Sequence, residues 1–280
     1  MNKEIPETTG YLVAIGGAED KTSDLAILRR VIELAPSDNP EVAVIVTASG
    51  VPEAVFPEYE AAFERLGAAE VHALDFRDRR QAMEEPQLDI IERCDVIFFS
   101  GGDQMRLTNI LGGSPVLEAI RERYFAGGVV AGTSAGAVAL ASTMIYGDGS
   151  VDALHKGAVS MGSGLGFVEG LFIDSHFLER GRITRLMEAG ATNPEHLGVG
   201  LGEDAGVIIY PDRILEAIGP GHVILVDSRK LVSSNVADAS NGDPVAIEHV
   251  VMHALISGYG FDIDQRVYLD PDAINNHQGD

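Results

Sequence analysis

Residues 129–140 read VVAGTSAGAVAL, an apolar run that passes through glycines and one hydroxyl before small apolar residues resume. The run contains the pattern G-x-S-x-G, which is typical of a nucleophile elbow, a tight strand-to-helix turn that exposes one serine. Small neighbours leave room for a substrate at Ser134, and the N–H of Ala135 falls where an oxyanion would form. An ordinary helix cap can have the same sequence. We therefore look for chemistry at Ser134 in the rest of the chain.

Upstream of this stretch, short apolar runs alternate with helical patterns. The runs rich in β-branched residues predict strands at 11–17, 42–49, 70–76, 95–102 and 128–134, and the segments between them predict helices at 22–35, 54–66, 87–93 and 115–125. This alternation indicates an α/β fold, flavodoxin-like in type, with a mostly parallel sheet and helices on both faces. Ligands bind at the carboxyl ends of such strands, so the glycine-rich turns near residues 16, 101 and 132 should share that edge.

The second half of the chain has a different pattern. Glycines interrupt residues 155–177, residues 181–191 suit a helix, and residues 199–228 predict a β-meander with Pro-Asp and Gly-Pro-Gly turns. No linker separates the halves, so we expect a single domain over 1–280, with a C-terminal meander extension and a frayed polar tail at about 270–280.

Composition excludes several classes of protein. The chain has 43 acidic and 20 basic residues and a formal net charge of −23, which argues against nucleic acid as a partner and favours cationic ligands. The acidity can also serve solubility alone.

No apolar run is long enough to span a membrane, and the N-terminus has no apolar leader segment, so we expect a cytoplasmic protein. Cys94 is the only cysteine, and we predict a buried, inert thiol.

Residues 101–111 read GGDQMRLTNIL and follow a predicted strand. Paired glycines permit close backbone approach, and N–H groups at the start of the next helix can bind an anion. The stretch lacks the lysine and the spacing of a Walker phosphate loop. A simple tight turn is the other interpretation of these residues.

Residues 173–186 read IDSHFLERGRITRL and place His176 at a predicted strand end. Beside an exposed serine, His176 would be the natural general base. Arg180, Arg182 and Arg185 follow closely, and arginine clusters bind carboxylates, although salt bridges to the many acids are the alternative. No histidine pair has a third ligand at metal-binding spacing, so we predict neither a metal nor another cofactor.

These motifs together resemble a known family. IGGAEDK (15–21), SGGDQ (100–104), GTSAGA (132–137), DSHFLERGRITRL (174–186) and SGYGFD (257–262) are similar to the cyanophycinases and their relatives among the peptidase E-like serine peptidases. The resemblance spans about residues 10–265. It implies a flavodoxin-like serine exopeptidase that needs no cofactor and releases β-Asp-Arg dipeptides from an arginine-decorated polyaspartate. The family tends towards dimers, so the resemblance also implies a homodimer.

The resemblance also implies roles for single residues. Ser134 would be the nucleophile and His176 the base, with backbone N–H groups of Gly102 or Asp103 and of Ala135 forming the oxyanion hole. The matching substrate-binding positions are Gln104, Asp174, Ser175, Arg180, Arg182 and Arg185. Ser175 stands where the family commonly has glutamine, which leaves the substrate open.

The triad acid would follow the serine's helix, where the chain offers Asp148 and Asp152. Spacing to the serine favours Asp152. Two alternatives to the polymer-degrading enzyme stay open at this point: a peptidase E-like aspartyl dipeptidase, and a non-catalytic α/β binding protein that keeps the turn as architecture.

Overall fold

The computed structural model describes residues 8–84, 87–147 and 154–278. In chain order, its first elements are β1 (Tyr11–Ile15), α1 (Ala26–Glu33), β2 (Glu41–Ile45), α2 (Pro52–Arg65), β3 (Glu70–Leu74), α3 (Arg79–Met83), α4 (Leu88–Arg93), β4 (Val96–Phe99), α5 (Gln104–Leu111), α6 (Pro115–Phe125), β5 (Val129–Thr133), α7 (Ala135–Ala139), β6 (Thr143–Tyr146) and β7 (Ser160–Ser163).

The remaining elements are β8 (Leu171–Asp174), α8 (Ile183–Thr192), β9 (Leu197–Leu201), β10 (Gly206–Ile209), β11 (Ile214–Ile218), β12 (Val223–Asp227), β13 (Ser233–Ser234), β14 (Ile247–Glu248), β15 (Val251–Leu255), β16 (Gly260–Asp262), β17 (Val267–Leu269) and α9 (Pro271–Gln278).

Nine strands form the large sheet, in the order β17-β16-β11-β10-β1-β5-β4-β2-β3. The five strands predicted from the first half, β1 to β5, pair in parallel, and β10, β11, β16 and β17 extend the sheet in antiparallel fashion. The prediction of an α/β fold built on a parallel sheet is therefore confirmed. Several predicted strands overrun the observed ones at their carboxyl ends, because buried apolar residues such as Val46 and Ala48 continue into the loops.

Strand side chains alternate between two cores, one on each face of the large sheet. In β1, Leu12 and Ala14 join the core that α5 and α6 cover. Val13 and Ile15 join the opposite core, which α1 and α2 cover. All four side chains are fully buried, because a strand covered by helices on both faces has no polar side.

The predicted meander is wrong in one respect: its strands belong to two different sheets. β10 and β11 extend the large sheet, whereas β9 and β12 pair with each other in a separate four-stranded sheet, β15-β12-β9-β8. The chain crosses between the sheets at Gly202, whose N–H donates to the His222 carbonyl at 3.0 Å. Apolar alternation marks each strand but does not tell which neighbour it pairs with.

The expected frayed tail is also wrong for residues 271–278, which form α9. Ile274 is 1% exposed, and it packs so closely on Gly260 that a Cβ at Gly260 would lie 2.3 Å from the Ile274 Cδ1 atom.

Cys94 is fully buried, as predicted. Within the described residues, no helix has the length and apolar character needed to cross a membrane.

Candidate active site

Ser134 occupies the turn between β5 and α7. Its backbone angles, φ 51° and ψ −114°, lie in a region that L-residues rarely adopt, and such strain persists only where the surroundings impose it. Glycines make the turn possible. A Cβ at Gly132 would lie 2.6 Å from the Gly136 carbonyl carbon, and a Cβ at Gly136 would lie 2.4 Å from the Phe99 carbonyl oxygen. The strand and the helix can meet this closely only without those side chains.

His176 approaches Ser134 from the second sheet, two residues beyond the end of β8. Its Nε2 atom lies 3.0 Å from the Ser134 Oγ atom. The backbone N–H of His176 donates to the Gly16 carbonyl at 2.9 Å, and the imidazole is only 15% exposed. The structure thus brings together the serine and the histidine that the sequence analysis singled out, at the distance required for proton transfer.

The other imidazole nitrogen faces a residue that the sequence analysis missed. The Nδ1 atom of His176 lies 2.8 Å from the Oε1 atom of Glu203. Asp148 and Asp152, the predicted acids, lie outside the described residues, so that assignment stays a prediction. Glu203 nevertheless has the geometry that orients an imidazole in a serine hydrolase.

A signal for Glu203 exists in the sequence but is weak without the sheet pairing. Glu203 comes two residues after β9, as His176 comes two residues after β8. The two strands pair in parallel, with Asp174 opposite Gly200. Because parallel strands end at the same edge, residues that follow them by the same interval become neighbours.

The backbone N–H of Asp103 is not available for an oxyanion, because it donates to the Ala48 carbonyl at 2.9 Å. The Asp103 carboxylate accepts from the first amides of α5 and caps that helix. The expectation that Asp103 serves in the oxyanion hole is therefore wrong. Gly102 and Ala135 both line the pocket beside Ser134, and at Gly102, with φ 143°, a Cβ would lie 2.0 Å from the Ala48 oxygen. Their two amides remain the candidate donors.

A pocket of about 250 Å³ opens beside Ser134. It is slightly smaller than the usual range for ligand sites, which suits one residue-sized part of a substrate. All six residues predicted to bind substrate line it: Gln104, Asp174, Ser175, Arg180, Arg182 and Arg185.

A buried carboxylate holds two of the pocket arginines. Asp174 is fully buried, and its oxygens lie 3.0 Å from Arg182 Nη1 and 3.2 Å from Arg185 Nε. Burial raises the pKa of the Asp174 carboxyl, while Arg185 and Arg182 oppose the rise. Arg182 also donates to the Ser175 carbonyl at 2.8 Å, and Arg185 donates to the Gly147 carbonyl. The two guanidinium groups are therefore fixed in place before any substrate arrives.

Arg180 differs from the other two arginines. It is exposed, and it forms no ion pair with any residue in the ranges the structure describes. Three guanidinium groups against the one carboxylate of Asp174 give the pocket a positive balance in a chain of strongly negative net charge. Arg182 and Arg185 form the salt bridges of the alternative interpretation, and binding of an anion by Arg180 stays a prediction.

Glu41, His72 and Cys94 form a cluster with ligand atoms within 4.8 Å of one another, at the amino ends of the parallel strands. The edge is opposite to the one that carries Ser134. Arg93 already donates to Glu41 at 2.7 Å and supplies the positive charge there. Burial raises the pKa of the Cys94 thiol to about 12. A thiolate ligand would be costly at this position, and the cluster does not fit a metal site.

Comparison with known proteins assigns the chain to a family. A model of peptidase family S51 matches residues 12–216. The cyanophycinase of Geminocystis herdmanii is 36% identical over 250 residues, which cover 89% of this chain and 91% of that protein. The cyanophycinase of Trichormus variabilis is 36% identical over 271 residues, with coverage of 96% and 91%. A peptidase from an acI-B1 Actinobacterium shares the fold, with a TM-score of 0.65, 20% identity and coverage of 92% and 98%. The chain therefore belongs to peptidase family S51.

Proposed function

We propose that this chain is a serine exopeptidase that hydrolyses cyanophycin, multi-L-arginyl-poly-L-aspartate, and releases β-Asp-Arg dipeptides. The observation that carries the proposal is the continuous contact from Ser134 through His176 to Glu203 beside an arginine-lined pocket. The curated relatives named cyanophycinase, which align over most of the chain, support the choice of substrate.

The proposed reaction begins when His176 Nε2 takes the proton of Ser134 Oγ, which attacks the carbonyl carbon of an aspartyl peptide bond. Glu203 accepts a hydrogen bond from Nδ1–H and stabilises the imidazolium that forms. The N–H groups of Gly102 and Ala135 would stabilise the oxyanion, and losing one such donor typically costs about 10²–10³ in rate. The imidazolium then protonates the leaving amine. Water, deprotonated by the same histidine, hydrolyses the acyl-enzyme and restores the serine.

The pocket suits the anionic part of the polymer. An aspartate residue offers a carboxylate, and planar guanidinium groups bind carboxylates in bidentate fashion. Arg180 is the exposed member of the cluster and the one we assign to direct contact, whereas Arg182 and Arg185 provide a preorganised positive field. The excess of 43 acidic over 20 basic residues would attract the arginine side chains of the polymer. Added salt should therefore lower kcat/KM.

The test is incubation of the insoluble polymer with purified wild type and with Ser134→Ala, followed by mass analysis of the soluble products. Ser23→Ala is the matched control, since Ser23 lies in the loop before α1 and outside the pocket that carries the proposal. We expect β-Asp-Arg from wild type and from Ser23→Ala only. Dipeptide released by Ser134→Ala at the wild-type rate would refute the serine mechanism.

Two further outcomes bear on the alternatives. Hydrolysis of Asp-X dipeptides with no release from the polymer would favour an aspartyl dipeptidase. Labelling of Ser134 by a serine-directed organophosphonate separates an enzyme from a non-catalytic binding protein, because labelling requires an activated hydroxyl.

A cytoplasmic location and a homodimer are part of the same proposal. Cell fractionation tests the first, and light scattering of the eluted protein tests the second. A mass equal to one chain, 29.7 kDa, would exclude the dimer at the concentration used.

A further inference from the structure

A segment that contains none of Ser134, His176 and Glu203 is hydrogen-bonded to the backbone at the candidate active site. Residues 15–19, here called the template loop, begin at the last residue of β1 and continue along the edge where the parallel strands end. The N–H of Ser134 donates to the Ile15 carbonyl at 2.9 Å, and the N–H of His176 donates to the Gly16 carbonyl at 2.9 Å. Two functional residues that come from different sheets are thus bonded to neighbouring peptide groups of one loop.

The third contact continues along the same loop. The N–H of Asp204, the residue next to Glu203, donates to the Gly17 carbonyl at 2.9 Å. Gly17 has a φ of 102°, and a Cβ there would lie 2.4 Å from the Cε1 atom of His176. Three consecutive carbonyls therefore fix the backbones from which the serine, the histidine and the glutamate project. Buried peptide groups rarely go unpaired, so these bonds constrain the relative positions of the three segments.

Glu19 ends the template loop and is only 4% exposed. Its Oε1 atom accepts from the Tyr59 hydroxyl at 2.5 Å, and its Oε2 atom accepts from the Thr133 hydroxyl at 2.6 Å. Distances this short are typical of hydroxyl groups that donate to an ionised carboxylate. Burial and the neighbouring Glu19 charge raise the pKa of Tyr59 well above its usual value, so its hydroxyl keeps the proton it donates.

Thr133 directly precedes Ser134, whose backbone is strained. The Thr133 hydroxyl is bonded to Glu19, and the Ser134 N–H is bonded to Ile15. The template loop therefore binds the chain on both sides of the Thr133–Ser134 peptide bond. A strained turn reverts to a lower-energy conformation unless contacts of this kind oppose it.

We propose that Glu19 is a positioning residue for Ser134 and acts through the Thr133 hydroxyl. This inference rests on the proposed function, because it assumes that Ser134 is the nucleophile. Glu19 is not among the residues of the arginine-lined pocket, but it borders a second pocket of about 180 Å³ that Thr133 and Ser134 also line. Because Glu19 is only 4% exposed and both of its carboxylate oxygens accept from protein hydroxyls, its loss should act through the position of Ser134 Oγ, and so lower kcat and leave KM nearly unchanged.

The central variant is Thr133→Val, which removes the hydroxyl and keeps the shape of the side chain. We expect kcat to fall roughly 10- to 100-fold, the range in which misplacement by about 1 Å reduces a rate. Thr133→Ser keeps the hydroxyl and should restore most of kcat. Glu19→Gln should also lower kcat, because an amide offers only one acceptor oxygen to two hydroxyl donors.

Tyr59→Phe is the matched control for stability. It removes the other hydrogen bond to Glu19 and leaves the bond to Thr133 in place. Its Tm should fall about as much as that of Thr133→Val, whereas its kcat should fall much less. Equal kcat losses in the two variants would overturn the proposal. Glu19→Gln should also have little further effect on kcat in the Thr133→Val background, because both changes break the same bond.

Labelling of Ser134 by an organophosphonate keeps the two proposals distinguishable. If the wild type is neither labelled nor active, the proposed function fails. If the wild type is labelled, and Thr133→Val is labelled at the same rate, the proposed function stands and the positioning role of Glu19 is refuted. We expect labelling of Thr133→Val to slow by the same factor as kcat.

Discussion

Replacing Glu203 by glutamine is the sharpest test of the triad. A carboxylate can only accept, so the contact of 2.8 Å requires the proton on His176 Nδ1 and leaves the Nε2 lone pair directed at Ser134. A glutamine amide can rotate and donate its NH₂ group to Nδ1 instead. The proton then lies on Nε2, which cannot accept the serine proton.

The size of the effect follows from the exposure of the group. Changing a buried triad carboxylate to an amide costs about 10⁴ in kcat in a serine protease. The Glu203 side chain is 42% exposed, so water can solvate the imidazolium in part when the charge is removed. We therefore expect a loss of about 100-fold in kcat, which corresponds to about 2.7 kcal/mol at 1.36 kcal/mol per tenfold. KM should change little.

The assay is kcat and KM for dipeptide release by Glu203→Gln, with Glu179→Gln as the control. Glu179 is exposed and lies beside the same loop, with its Oε1 atom 3.6 Å from where a Cβ of Gly202 would be. The control thus removes an equal charge near the site without touching His176. If both variants keep the wild-type kcat, Glu203 is not the triad acid. Asp152→Asn is measured in parallel, and a 100-fold loss confined to it would restore the sequence-based assignment.

Three further predictions concern two residues at the site and the buried cysteine at the opposite edge of the sheet. Gly17→Ala should lower kcat more than tenfold and also lower Tm, because a φ of 102° is strained for a residue with a side chain and its Cβ would lie 2.4 Å from the His176 ring; a normal kcat would show that the loop moves without displacing His176. Asp174→Asn should lower the free energy of unfolding by about 3 kcal/mol in a urea titration, since Arg182 and Arg185 would lose a fully buried counter-charge; an unchanged midpoint would contradict the argument. Cys94, with its pKa raised to about 12, should react with a disulfide reagent at pH 8 only after unfolding, and rapid native labelling would refute its burial.

Some of the fold and the site could be predicted from local sequence. Apolar runs of strand length and helical periodicity are properties of neighbouring residues, so the five parallel strands and the helices α1, α2, α4 and α6 could be predicted without any contact information. Ser134 was visible for the same reason, because glycines at 132 and 136 are required within a few residues of the turn. His176 and the three pocket arginines lie within one short segment, which made their charge pattern visible too.

Only the tertiary structure decided which distant segments meet. Glu203 lies 27 residues from His176 and reaches it because β8 and β9 pair in parallel. The Asp103 amide was excluded by the Ala48 carbonyl, which belongs to the loop after β2. Glu19 acts on Thr133 across 114 residues. Hydrogen bonds of this kind depend on sheet order and on loop paths, and apolar periodicity specifies that a strand is buried without specifying its neighbour.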